Sequence, residues 1–144
     1  MSNYYKDEGL DGFSNWYKIQ TQEERDHAML FMEYLQINGH SVTLEAVDKP
    51  EQSYQGFDGP LKVSAQHERY VTQLINTIYA EAHDIKDFRT MQFLDWFVKE
   101  QAEEEETAEN MIKKFELFGS DAKGVYMLDS EFAGRTYTAP SLVL

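Results

Sequence analysis

The chain has 144 residues, 42% apolar and 14% aromatic, with 13 basic against 26 acidic side chains and a formal net charge of −13. That length suits one domain around a single core, and such acidity disfavours nucleic acid and anionic membranes while favouring cations. No cysteine is present, which excludes disulfides, thiolate metal sites and cysteine nucleophiles; no apolar run approaches the roughly 20 residues needed to cross a bilayer and no signal peptide is legible, so a cytoplasmic location is expected.

The opening "MSNYYKDEGLDGF" reads as the end of a helix over residues 1–8, with Gly9 at the left-handed position that closes such an element. A stretch with no proline and no internal glycine follows from Gly12 to Asn38 and predicts one long helix, stopped at Gly39. Residues 39–60 carry Pro50, Gly56, Gly59 and Pro60 and read as a connection, with Val42, Leu44 and Val47 suggesting a short extended piece. A connection of roughly 20 residues is unusual without a reason. Extended, it is long enough to run the full ~40 Å of a 27-residue helix, the crossover that makes its flanking helices parallel.

Asp58 and Pro60 predict a cap and a first turn for a second long helix, 61–85. The tight break "IKDFRT" then requires an antiparallel third helix, 88–118. A short fourth helical segment is expected over 121–133, broken at Gly124, followed by an aperiodic tail. The fold expected is all-α, a single domain over residues 1–144.

Steps of three and four along the long helices trace three apolar stripes, each with polar interruptions. The first stripe, Phe13, Tyr17, Gln20, Glu24, His27, Phe31, Tyr34, is broken by Glu24 and His27. The second, Leu61 to Ala82, is broken by Glu68; the third, Leu94 to Phe118, by Gln101 and Glu104. Burying an isolated carboxylate is costly, and burying several near one another is worse. Lysine and arginine are absent from these stripes, so a multivalent cation is the simple remaining counter-charge. Glu24 and His27 lie three apart and can reach one ion, and a carboxylate-rich set with imidazole suits iron, manganese or zinc. Inward glutamates with a Glu-x-x-His pair are the recipe for dinuclear sites in helical bundles. Glu23, Glu100 and Glu103 form a second acidic set beside the first; charge runs on helices are more often wetted faces. His40, His67 and His83 lie off the stripes and read as solvated.

The segments "NWYKIQTQEERDHAMLFMEYLQINGH", "QHERYVTQLINTIYAEAHD" and "FLDWFVKEQAEEEETAENMIKKFELFG" resemble, in order, the second, third and fourth helices of bacterial non-haem ferritin, and "GVYMLDSEF" resembles the start of its short fifth helix. The likeness spans residues 1 to about 134. It implies a ferritin-like four-helix bundle with a long crossover loop and a short C-terminal fifth helix. Bacterioferritin is a poorer match, because Gln101 and Glu104 stand where a second Glu-x-x-His would be, and no haem is expected.

The resemblance implies roles residue by residue. Glu24 resembles the carboxylate bridging two irons, His27 an imidazole ligand of the first iron and Glu68 a ligand of the second. Gln101 and Glu104 resemble the polar pair beside the second iron, and Glu23, Glu100 and Glu103 the ligands of a third site. The implied activity is ferroxidase: Fe(II) oxidised by O2 or H2O2 at a dinuclear centre, with Fe(III) mineral stored in a hollow shell of 24 copies of the chain. A non-catalytic metal-binding subunit or assembly scaffold is the alternative, and an acidic helical partner-binding module a blander third.

In the family a complete first helix precedes "YYKDEGLDGF" and carries a glutamate ligand of the first iron. Residues 1–8 are expected to be its remnant, the first helix being largely missing, which predicts weakened binding of the first iron. Three explanations stand side by side: a cut or mis-started subunit, a groove filled by another copy or by the C-terminal segment, and a genuine short variant.

Overall fold

Three helices of this protein stop by the same backbone device. The computed structural model describes residues 1–50 and 53–144; Glu51 and Gln52, within the stretch read as the crossover, lie outside the described residues. After α1 (Ser2–Asp7), Gly9 takes φ 77°, its amide donating to the Lys6 carbonyl while the Leu10 amide donates to Tyr5. After α2 (Asp11–Ile37), Gly39 takes φ 80°, and the Gly39 and His40 amides donate to Gln36 and Leu35. After α3 (Gly59–Asp84), Lys86 takes φ 60°, and the Lys86 and Asp87 amides donate to His83 and Ala82. Each is the paired closure in which a left-handed residue turns the chain so that two orphan carbonyls are satisfied. The remaining helices are α4 (Phe88–Phe118) and α5 (Ala122–Phe132).

Gly124 does not break α5, which runs through it; the ~1 kcal/mol cost of an internal glycine is tolerated. The extended piece expected at Val42, Leu44 and Val47 is not formed: residues 40–50 carry no regular structure, and Leu44 and Val47 lie open to solvent. Among the described residues there is no strand, and no helix is long and apolar enough to cross a membrane.

The chain divides into two compact units. The first comprises Met1–Ser53 and Ala122–Leu144, with α1 and α5 both packed on α2. Its centre is aromatic. Tyr5 is fully buried between Phe13 and Tyr17, with ring centroids 4.8 and 5.7 Å away, and Phe132 meets Phe13 edge-on at 4.8 Å. Such pairs contribute ~0.5–1.5 kcal/mol each beyond their area burial. The approach of α5 to α2 is closer than side chains allow: a Cβ on Gly12 would sit 1.6 Å from the Asp129 carbonyl oxygen. At this contact Asp129 Oδ1 accepts from the Phe13 amide at 3.0 Å, one of the orphan donors of α2. Leu10, the residue ahead of α2, supplies no side-chain cap, so α5 caps α2.

The second unit is Tyr54–Asp121, the hairpin of α3 and α4. Arg69 pairs with Glu109, Thr72 with Glu105 and Tyr79 with Asp95, so partner numbers fall along α4 as they rise along α3: the helices are antiparallel. The buried stripe of α3 is Leu61, Ser64, Ala65, Glu68, Ile75 and Ala82; that of α4 is Phe93, Leu94, Phe97, Gln101, Ala108 and Met111. Asp58 does not cap α3 with its side chain. It takes the Lys62 ammonium instead, 2.5 Å away.

Candidate metal centre

The helical period places Glu24 and His27 one above the other on α2. The His27 imidazole is 11% exposed and the Glu24 carboxylate 44%, with His27 Nδ1 3.6 Å from Glu24 Oε2. That separation suits two donors on one ion, each about 2.1 Å from it. Gln20, one turn earlier, donates through Nε2 to Glu24 Oε1 at 2.9 Å, so Oε2 is the oxygen turned toward the imidazole.

In the α3–α4 unit, Glu68 is 6% exposed and Gln101 4%, on helix stripes otherwise made of Leu, Ile, Ala, Phe, Met and Ser. Gln101 Nε2 donates to the Glu68 backbone carbonyl at 3.2 Å and to Thr72 Oγ1 at 3.4 Å. Thr72 in turn donates to Glu105 Oε1 at 2.5 Å. This relay commits the nitrogen of Gln101 to α3, so the atom Gln101 can offer a cation is its carbonyl oxygen. Glu104 follows one turn later, half-buried, with one carboxylate oxygen shielded from solvent.

The second acidic set is divided. Glu100 is half-buried, while Glu103 is exposed with the Lys99 ammonium 3.9 Å away. Glu23 is only 17% exposed and is engaged by the guanidinium of Arg135, itself 22% exposed. Arg135 Nη2 also donates to Gln20 Oε1 at 2.8 Å, and its guanidinium lies 3.9 Å from the Trp16 ring centre. Next to it, Tyr137 Oη donates to Asp26 Oδ2 at 2.5 Å. That bond, ahead of burial and the carboxylate's charge, holds the Tyr137 phenol above its ordinary range.

Sequence reasoning missed Thr72, Glu105 and Arg135. Thr72 and Glu105 lie beside the traced stripes and are joined only by the pairing of two helices. Arg135 lies in an aperiodic tail, where no pattern marks its target. His40, His67 and His83 are exposed, as read from the sequence.

Chemically, the first unit offers a carboxylate and an imidazole and the second offers carboxylate and amide oxygens, donor types that suit hard and borderline divalent ions. The ferritin-like domain family matches residues 1–118. The bacterial non-heme ferritin of Staphylococcus epidermidis is 34% identical over 137 residues, 95% of this chain and 82% of that protein. That of Bacteroides fragilis is 38% identical over 138 residues, 94% of this chain and 84% of that protein. Among solved structures, a closed form of Archaeoglobus fulgidus ferritin engineered by site-directed mutagenesis superposes with a TM-score of 0.94 at 38% identity, covering 96% of this chain and 84% of that one. With a family match over most of its length and relatives above 30% identity along nearly all of it, the chain belongs to the ferritin family.

Proposed function

We propose that this protein is an iron store with ferroxidase activity, and that Glu24, His27, Glu68, Gln101 and Glu104 are the residues that hold Fe(II) while it is oxidised. Family membership supports iron as the substrate. The observation that carries the reading is Glu68: a carboxylate 6% exposed on an apolar helical stripe. An ionised group there needs a compensating cation or a proton, and a site that cycles iron supplies the cation. The imidazole of His27 adds a nitrogen donor, and the Thr72–Glu105 relay holds Gln101 with its carbonyl oxygen available.

Each Fe(II) gives up one electron. Two irons held close can therefore reduce one O2 to hydrogen peroxide with uptake of two protons, or one H2O2 to water, which is why a dinuclear carboxylate site is useful. The Fe(III) product passes to a mineral enclosed by a shell of identical chains, 24 in the arrangement the resemblance implies, within the cytoplasm. Glu100, Glu103 and Glu23 are proposed as a further, weaker iron site.

The test is the ultraviolet absorbance of Fe(III) that develops when Fe(II) is added aerobically to the protein and to Glu24→Ala and Glu68→Ala. Loss of a carboxylate ligand is expected to slow the initial rate by at least the ~10–100-fold seen when the supporting partners of metal ligands are removed. Rates equal to that of the parent protein in both variants would sink the assignment.

A further inference from the structure

Just beyond α5, residues 133–137 run along α2, and one of their side chains is a cation set against an α2 carboxylate. Trp16, Gln20 and Glu23 are spaced by four and three and so lie on one face of α2. Arg135 binds all three: it covers the Trp16 ring, donates through Nη1 to the Trp16 carbonyl at 3.3 Å, and meets Gln20 and the Glu23 carboxylate through Nη2. The backbone beneath it is pinned. Asn15 Nδ2 donates to the carbonyls of Ala133 and Arg135 at 3.4 and 3.1 Å, and Tyr137 reaches Asp26 one turn beyond Glu23.

The guanidinium takes Glu23 Oε2, an oxygen that a metal ion would also need. Each contact is modest, but both charged groups are largely shielded from water, so the pair is worth more than an exposed one. We infer that Arg135 is an intramolecular counter-ion for Glu23: a metal ion can use Oε2 of Glu23 only by displacing the guanidinium, which then lifts from Trp16 while Asn15 and Tyr137 keep the backbone in place. This rests on the reading of Glu23 as an iron ligand and adds to it a built-in competitor. Seating of the Arg135 guanidinium and metal affinity at Glu23 are coupled reciprocally: whatever draws the guanidinium away strengthens that site, and metal there releases it.

The protein contains two tryptophans, so Trp96→Phe leaves Trp16 as the sole indole reporter. Zn(II), which neither oxidises nor quenches by paramagnetism, is the probe. In the Trp96→Phe protein the Trp16 emission is expected to shift as Zn(II) fills the Glu23 site, a readout that leaves Arg135 in place. Titration calorimetry on the full chain then isolates the binding component that Glu23→Gln removes. In Arg135→Gln this component is expected to tighten by roughly five-fold, at the lower end of typical coupling between sites, with Trp16 emitting from the start as in the metal-bound state. A Glu23-dependent component of equal affinity in both proteins, with Trp16 emission unmoved by Zn(II), overturns the competition and leaves Glu23 as a ligand. A protein with no Glu23-dependent component even in Arg135→Gln overturns both.

Discussion

Lys86 occupies at φ 60° the position that Gly9 and Gly39 fill at the ends of the two preceding helices. For a residue with a Cβ that conformation costs ~1–2 kcal/mol, whereas glycine adopts it at no steric cost but loses ~0.4–1 kcal/mol through the greater freedom of the unfolded chain. The difference favours glycine. Lys86→Gly is therefore expected to raise stability by about 0.5–1 kcal/mol, read as a higher urea midpoint with an unchanged slope. A lower midpoint would mean that the lysine side chain has a role in the break beyond its backbone. Gly12 is the opposite case: its φ is ordinary, and glycine is required there because the carbonyl of Asp129 stands where a Cβ would be. Sequence alone gives the same letter for both roles; only the approach of α5 distinguishes them.

At the scale of the elements, two aspartates precede helices and behave differently. Asp87 caps α4, accepting from the Thr90 amide at 3.1 Å and from the Thr90 hydroxyl at 2.5 Å. The hydroxyl bond first, and the amide bond second, hold its carboxyl below the ordinary aspartate range. A folded pKa below the unfolded one gives stability that is present above the unfolded value and is lost as pH falls through the folded value. Asp87→Ala should therefore lower the melting temperature by a few degrees at neutral pH, and the gap should close as the pH is taken below 3.8. A gap of the same size in acid would assign the loss to something other than the charged cap.

Asp58 looks the same in sequence, yet its carboxylate goes to Lys62 one turn on; a local pattern marks a helix start without saying which donor the side chain will choose. The helices themselves were legible because glycine and proline mark their ends and because the apolar period holds over many turns. The stripes were read too far, however. Ile78 and Phe118 fall on them but are 43% and 54% exposed, since periodicity identifies a face and carries no information on how much of its length is covered. Of the proposed site, Glu68, His27 and Gln101 were legible as polar breaks in apolar stripes and are buried. The Arg135 strap and the capping of α2 by Asp129 span more than a hundred residues of chain, and no sequence period links their partners.

For the whole molecule the governing quantity is the excess of carboxylates. A net charge of −13 is itself destabilising through self-repulsion, and one of the glutamates, Glu68, is buried. Two effects of added cations must then be separated. Diffuse screening acts on every exposed acid, depends on ionic strength and follows the Debye length, about 8 Å at physiological salt. Ligation acts only where donors converge and depends on the concentration of the particular ion. An ion that binds the native state alone adds about 2.7 kcal/mol when present at a hundred times its dissociation constant. For a chain of this size that corresponds to a rise in melting temperature of roughly 5–15 °C. Thermal unfolding in Mn(II), which stays divalent in air over such a scan, should show that rise, and sodium chloride matched in ionic strength should give only a small part of it. Glu68→Ala should abolish most of the Mn(II)-specific increment while keeping the salt response, because the remaining acids still repel one another. Equal shifts from sodium chloride and Mn(II), or an increment untouched by Glu68→Ala, would mean that the buried glutamate is tolerated for some reason other than metal.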